Sequence, residues 1–321
     1  MCEAIKFYNM NNINTTISAT QHLLEGYTHW RAFQNRLLST FFVELLSKLL
    51  HPYSANAYRD SLYIFLMLLF LAINIVIYIT LESKNGFEKL VVFLFVNFWF
   101  FICSCTIWYP WDFFEYLFFY FLFFMVSKND RAIFHYWVLC LVWMLTKETA
   151  IFVPIVLIAC LIDVREKPLM TLENRKILSS SILMFIIVFA YTYITRNILF
   201  KYSTIDGIGF DLQHGGMANF INLKRNFLGM VTYSNGLCLV PVLIYLFYIA
   251  FCFKVYQYRK SIGRKFMSLW IVVGAYLGIS FVSALVIETR IFFPLSAMLV
   301  WLYFSQDIIK VGFASSVAKS S

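Results

Sequence analysis

The chain has 321 residues, of which 61% are hydrophobic and only 13% charged, and its net charge is +9. Soluble domains carry about 25% charged residues, so the composition excludes an ordinary water-soluble globule and makes lipid the expected solvent. The basic residues stand between long apolar runs and not in one patch. That excludes a nucleic-acid surface and is the way charge orients a membrane protein.

Residues 1–32 are polar and lack the apolar centre of a signal peptide, so no cleavable leader is expected. The segment 33–50, FQNRLLSTFFVELLSKLL, places Leu38, Phe41, Phe42, Leu45, Leu46 and Leu49 at helical spacing. Arg36, Thr40, Glu44, Ser47 and Lys48 fill the other face, and His51-Pro52 ends the pattern. This predicts an amphipathic helix lying in the membrane interface. Apolar runs then follow at about 60–81, 90–108, 112–127, 132–146, 149–163, 178–196, 237–253, 266–287 and 291–307. The expected fold class is therefore all-α, a polytopic transmembrane helix bundle of about nine spans with an N-terminal interfacial amphipathic helix. Its organisation is an extracytoplasmic segment 1–59, a transmembrane domain 60–310 with an outer loop 197–236, and a cytoplasmic tail 311–321. The fourth and fifth runs are short, about 15 residues or roughly 22 Å of helix against roughly 30 Å of hydrocarbon. The turn joining them, at Lys147-Glu148, is expected to lie below the outer surface.

Orientation follows from the connections. If they alternate sides, the loops at 82–89, 127–131, 164–177 and 254–265 and the C-terminus collect most of the Lys and Arg. The short turns of the opposite side hold only Lys147 and Arg290. The positive-inside rule puts the basic side in the cytoplasm and the N-terminus outside.

The outer side then holds the polar motifs. Residues 148–154 read ETAIFVP and residues 288–294 read ETRIFFP. One reading is two similar helix starts, with Thr as the cap and Glu near the positive end of the dipole. The other is a recessed polar pocket lined by Lys147, Glu148, Glu288 and Arg290, since ionisable groups at membrane depth must face a cavity or one another. Asp112 and Glu115 are three apart, hence on one helical face, behind an aromatic WYPW belt that includes Trp111. Carboxylates beside an aromatic surface suit a sugar or a metal ion, and an interfacial anchor suits the same residues. Arg59-Asp60 opens the first run as a local ion pair or a helix-start charge. Asp206, Asp211 and His214 fit no metal spacing, and the seven cysteines form neither a CxxC pair nor a zinc pattern. No metal site or cofactor is expected; nothing in the spacing supports a divalent cation.

The order FQNRLL (33–38), PWD (110–112), KETAIFVP (147–154) and ETRIFFP (288–294) resembles membrane glycosyltransferases of the GT-C superfamily, in a divergent bacterial branch. The resemblance implies a multi-span enzyme that takes a sugar from a polyprenyl-phosphate carrier outside the cytoplasm. It also implies an acidic catalytic base and basic residues on the lipid phosphate. The carried-over acids are Glu148, Asp112 and Asp60; the substrate-binding set is Lys147, Arg290, Glu288, Arg36 and Trp111. The implied partners are the lipid bilayer and a polyprenyl-linked sugar, in a bacterial inner membrane and in surface-glycan assembly. Two other functions fit the same sequence: a glycolipid or small-solute transporter or flippase, and a non-catalytic membrane component of a glycan polymerase complex.

Overall fold

The computed structural model describes residues 16–17, 20–21, 23–25, 36–81, 85–103, 109–128, 130, 132–161, 172–199, 239–257, 264–283 and 289–305. Among them all regular structure is helical. The helices are α1 (Leu37–Leu50), α2 (Ala57–Thr80), α3 (Gly86–Cys103), α4 (Pro110–Ser127) and α5 (Ile133–Met144). They continue with α6 (Phe152–Leu161), α7 (Leu172–Ile194), α8 (Leu239–Gln257), α9 (Arg264–Ser283) and α10 (Phe293–Ser305). Each apolar run of the sequence contains one helix of the set α2 to α10. Most of the 197–236 loop, the 311–321 tail and much of the 1–59 segment lie outside the described residues.

Length separates these helices. α2, α3 and α7 are long and apolar enough to cross a membrane. α5 and α6 have 12 and 10 residues, about 18 and 15 Å of helix, well short of roughly 30 Å of hydrocarbon. Large apolar side chains cover the outer faces, among them Leu71, Tyr78, Leu94, Phe98, Ile186 and Phe189. Water would penalise such a surface, and lipid would not.

The core is built on α4, PWDFFEYLFFYFLFFMVS, which is apolar on every side below its first turns and buried on all but one stripe, where Phe114, Leu117, Phe121 and Phe124 are half-buried. Its most extensive partner is α10, and α1, α2 and α5 also lie on it. Aromatic contacts dominate. Phe119 meets Trp143 edge-on at 4.6 Å, and Tyr116 stacks on Phe293 at 4.7 Å. Cys103 and Cys140 are buried within this packing.

α1 begins at Leu37, four residues after the start expected from the sequence. Ser39, Thr40 and Val43 face the protein, whereas Phe41, Phe42, Leu45 and Leu49 are exposed. A helix on a soluble protein turns its apolar stripe inward; here Leu38 and Leu46 pack on the core and Phe42 stacks on Phe65 and Phe114, while Phe41, Leu45 and Leu49 stay outward. The inward turn of the polar face has local causes. The Thr40 hydroxyl donates to Arg36 O at 2.9 Å, and Leu38 N–H donates to Leu145 O at 2.9 Å, which ties α1 to the turn after α5.

Candidate functional site

The site forms where three chain segments meet: the N-terminal end of α4, the turn between α5 and α6, and the residue preceding α1. The α5–α6 turn is tight. Thr146 N–H and Lys147 N–H both donate to Trp143 O, at 2.8 and 2.9 Å. A 3₁₀ turn, Glu148–Ile151, then leads into α6. Two short helices and this turn carry the Lys147 and Glu148 side chains into the bundle.

Lys147 lies between two carboxylates of one helical face. Its ammonium donates to Asp112 Oδ1 at 3.3 Å and to Glu115 Oε2. Asp112 is 4% exposed and Glu115 1%. Buried charges of this kind are very costly unless paired, and the shared ammonium supplies the pairing. Glu115 Oε1 is also buried and has no hydrogen-bond partner among the described residues.

Arg36 makes the second half. Its Nη1 donates to Thr146 O at 3.2 Å, and Nη2 stands 3.4 Å from Glu148 Oε2. The guanidinium also sits over the Trp111 ring, 5.5 Å from its centre, where the ring's negative face favours a cation. Arg36 is 5% exposed, whereas the Glu148 side chain is 40% exposed. Glu148 is thus the carboxylate of this group that an incoming molecule reaches most directly. Asp112 is held inside.

The wall is aromatic. Trp111 stacks on Tyr109 at 4.4 Å, and both are buried. They form no outward-facing belt, contrary to the expectation from WYPW, because Trp111 is occupied on its faces by Tyr109 and Arg36. Tyr276 of α9 closes the inner side, its ring against Phe119 and Phe152 at 5.2 and 5.6 Å.

The second ETxIFxP segment reaches the same end of α4. It too enters its helix through a 3₁₀ turn, Thr289–Phe292. Trp99 Nε1 donates to Phe292 O at 2.9 Å and the Tyr276 hydroxyl to Ile291 O, so α3 and α9 hold this turn in place. Phe293 then packs on Phe113 and Tyr116, beside the two acids of α4. The Arg290 side chain and the whole of Glu288 lie outside the described residues.

Of the residues singled out in the sequence, Arg36, Trp111, Asp112, Lys147 and Glu148 come together. Asp60 makes its contact elsewhere: its carboxylate accepts the Ser54 hydroxyl at 2.5 Å in the first turn of α2. Thr149 is not a helix cap; Lys147 holds the position before the 3₁₀ turn without a side-chain cap bond. The Thr149 hydroxyl instead accepts from Trp143 Nε1 at 3.2 Å. Glu115 belongs to the site although the resemblance assigned it no role. Its signal was the three-residue spacing from Asp112. No group of three or more His, Cys, Asp or Glu suited to a metal ion occurs among the described residues. Compared with known proteins, the chain matches no family model, no curated protein and no solved structure.

Proposed function

We propose that this chain is an integral membrane protein of about nine spans, N-terminus outside, that moves a sugar from a polyprenyl-phosphate carrier to an acceptor on the extracytoplasmic face. In this reading α1 lies in the outer interface with Phe41, Leu45 and Leu49 in lipid, and the membrane is the inner membrane of a bacterium. The observation that carries the proposal is the charged group Arg36–Glu148 and Lys147–Asp112–Glu115, its Arg36, Asp112 and Glu115 buried in an apolar bundle beside two short helices and its Glu148 reachable from outside. Intramembrane charge of this density marks a functional site more often than an anchor.

In this reading the roles are divided as follows, that of Arg290 resting on the resemblance alone. Glu148, the accessible carboxylate, takes the proton of the acceptor hydroxyl as that oxygen attacks the anomeric carbon. The bond from that carbon to the phosphate oxygen breaks, and the carrier leaves as its phosphate with the electron pair. Arg36, and Arg290 from the second turn, oppose the growing phosphate charge, as guanidinium forks do. Lys147, already shared by Asp112 and Glu115, acts as the pin that holds α4 against the α5–α6 turn. Asp112 sets that pin.

The test is transfer from a polyprenyl-phosphate sugar in vesicles containing the purified chain. Glu148→Gln should accumulate normally and lose transfer by at least about 100-fold, the scale of a general base. Unchanged transfer in that variant removes Glu148 from the chemistry. A second reading, a flippase or exporter, draws on the repeated 3₁₀-to-α entries at Glu148–Ile151 and Thr289–Phe292, because transporters are built from repeats. Movement of the lipid-linked sugar across the vesicle without formation of a glycosidic bond would favour it.

A further inference from the structure

We propose that the chain pairs with a second copy of itself inside the membrane, across the face shared by α2 and α3, through the amides of Asn74 and Asn97. The inference rests on the membrane assignment and is independent of sugar transfer.

Both helices are long and apolar enough to span, and each carries one amide well inside its length. Asn97 lies about 16 Å along α3 from its first residue, and Asn74 about 9 Å before the end of α2. They meet: Asn97 Nδ2 donates to Asn74 Oδ1 at 3.0 Å. Each also donates to the carbonyl one turn back in its own helix, Asn74 to Phe70 O at 2.9 Å and Asn97 to Phe93 O at 2.7 Å.

A primary amide offers two N–H donors and one carbonyl acceptor. These three bonds use both N–H groups of Asn97, one N–H of Asn74 and the Asn74 carbonyl. Left over among the described residues are one N–H on Asn74 and the carbonyl oxygen of Asn97. Both residues are only half-buried. Around them stand exposed Met67, Leu71 and Tyr78 on α2 and Phe93, Leu94 and Phe101 on α3. This is an apolar, lipid-type surface with one polar spot.

Hydrocarbon has no partner for either group. The leftover pair is one donor and one acceptor, so it complements itself. A two-fold axis along the membrane normal keeps both copies in the same orientation and depth. It sets the Asn74 N–H of each copy opposite the Asn97 carbonyl of the other, twice over. Self-complementary patches of this kind are what isologous dimers use, and interhelical amide bonds are a recognised source of association in lipid.

The test uses the full-length chain, labelled with one fluorophore, in liposomes over a series of protein-to-lipid ratios. Photobleaching should count two copies per spot as density rises. Asn97→Leu, which removes both symmetric bonds, should weaken association about tenfold. Because Asn97→Leu also removes the α2–α3 bond, a second arm leaves the amides intact. A benzophenone amino acid at Leu94, on the proposed face, should give a crosslinked homodimer, and the same probe at exposed Ile186 of α7 should not. Single copies at all densities overturn the proposal, as do equal crosslinking at both positions and capture of a different protein at Leu94. Retention of the chain in carbonate-washed membranes reports the membrane assignment separately.

Discussion

Lys147 is the residue on which the buried charge depends. It stands within hydrogen-bonding reach of Asp112 and Glu115, and both acids are almost wholly enclosed. Removing one partner of a buried pair leaves an uncompensated charge, typically a loss of about 3–5 kcal/mol. Lys147→Met should therefore lower the thermal unfolding midpoint in detergent sharply. The triple variant Asp112→Asn, Glu115→Gln, Lys147→Met leaves no charge to compensate and should recover most of that loss. Equal midpoints for Lys147→Met and the unaltered chain would show that the acids are satisfied without Lys147. Much of this group was legible beforehand: the three-residue spacing of Asp112 and Glu115 fixes their shared face, and the short flanking runs place Lys147 at depth. The pairing of Arg36 with the α5–α6 turn was not. Its partners Thr146 and Glu148 lie more than 100 positions away along the chain, and helical periodicity carries no information about such contacts. Thr149 was misread because Thr before an apolar run signals a cap, while the nearby Trp143 indole needed an acceptor in the packed turn.

At the scale of elements, helix existence followed from the apolar runs, since a helix satisfies its own backbone groups within such a run. The ends did not. α5 stops at Met144, where the Thr146 and Lys147 amides turn back onto Trp143 O, a closure that apolarity alone does not register. The 3₁₀ entries ahead of α6 and α10 likewise come from tertiary anchoring, by Trp99 and Tyr276 in the second case. The contact of α8 with α9 offers a test of how tightly such elements fit. Tyr248 stacks on Trp270 at 4.6 Å and its hydroxyl donates to Trp270 O at 3.3 Å. A Cβ on Gly274 would fall 2.0 Å from that hydroxyl oxygen and 2.9 Å from the ring carbon bearing it. The ring must leave its stack to make room. Gly274→Ala should cost about 1–3 kcal/mol, as overpacking does, and adding Tyr248→Leu should return part of it. Unfolding midpoints of the single and double variants decide this; a single variant as stable as the parent means that the ring moves freely.

The whole molecule has two ends that differ in chemistry. One bears the charged group at the start of α4 and the α5–α6 turn; the alternation read from the sequence assigns the basic connections to the other. α2 joins them, with exposed Tyr53 just before it and exposed Asn85 just after it. Its 24 residues measure about 36 Å, enough to separate these positions by a full hydrocarbon layer. Lys and Arg crowd the connections on the Asn85 side, and such loops resist translocation. Tyr53 should therefore lie outside and Asn85 inside. In a chain whose seven native cysteines are replaced, Tyr53→Cys should react with a membrane-impermeant maleimide on intact cells. Asn85→Cys should react only after permeabilisation. The reverse pattern would turn the molecule over and move Glu148 to the cytoplasmic face, away from an extracytoplasmic sugar acceptor. Labelling of both positions on intact cells would mean that α2 does not cross at all. The measurement thus tests the premise shared by the pocket and the Asn74–Asn97 pair: that one end of this bundle faces the outside while its middle lies in lipid.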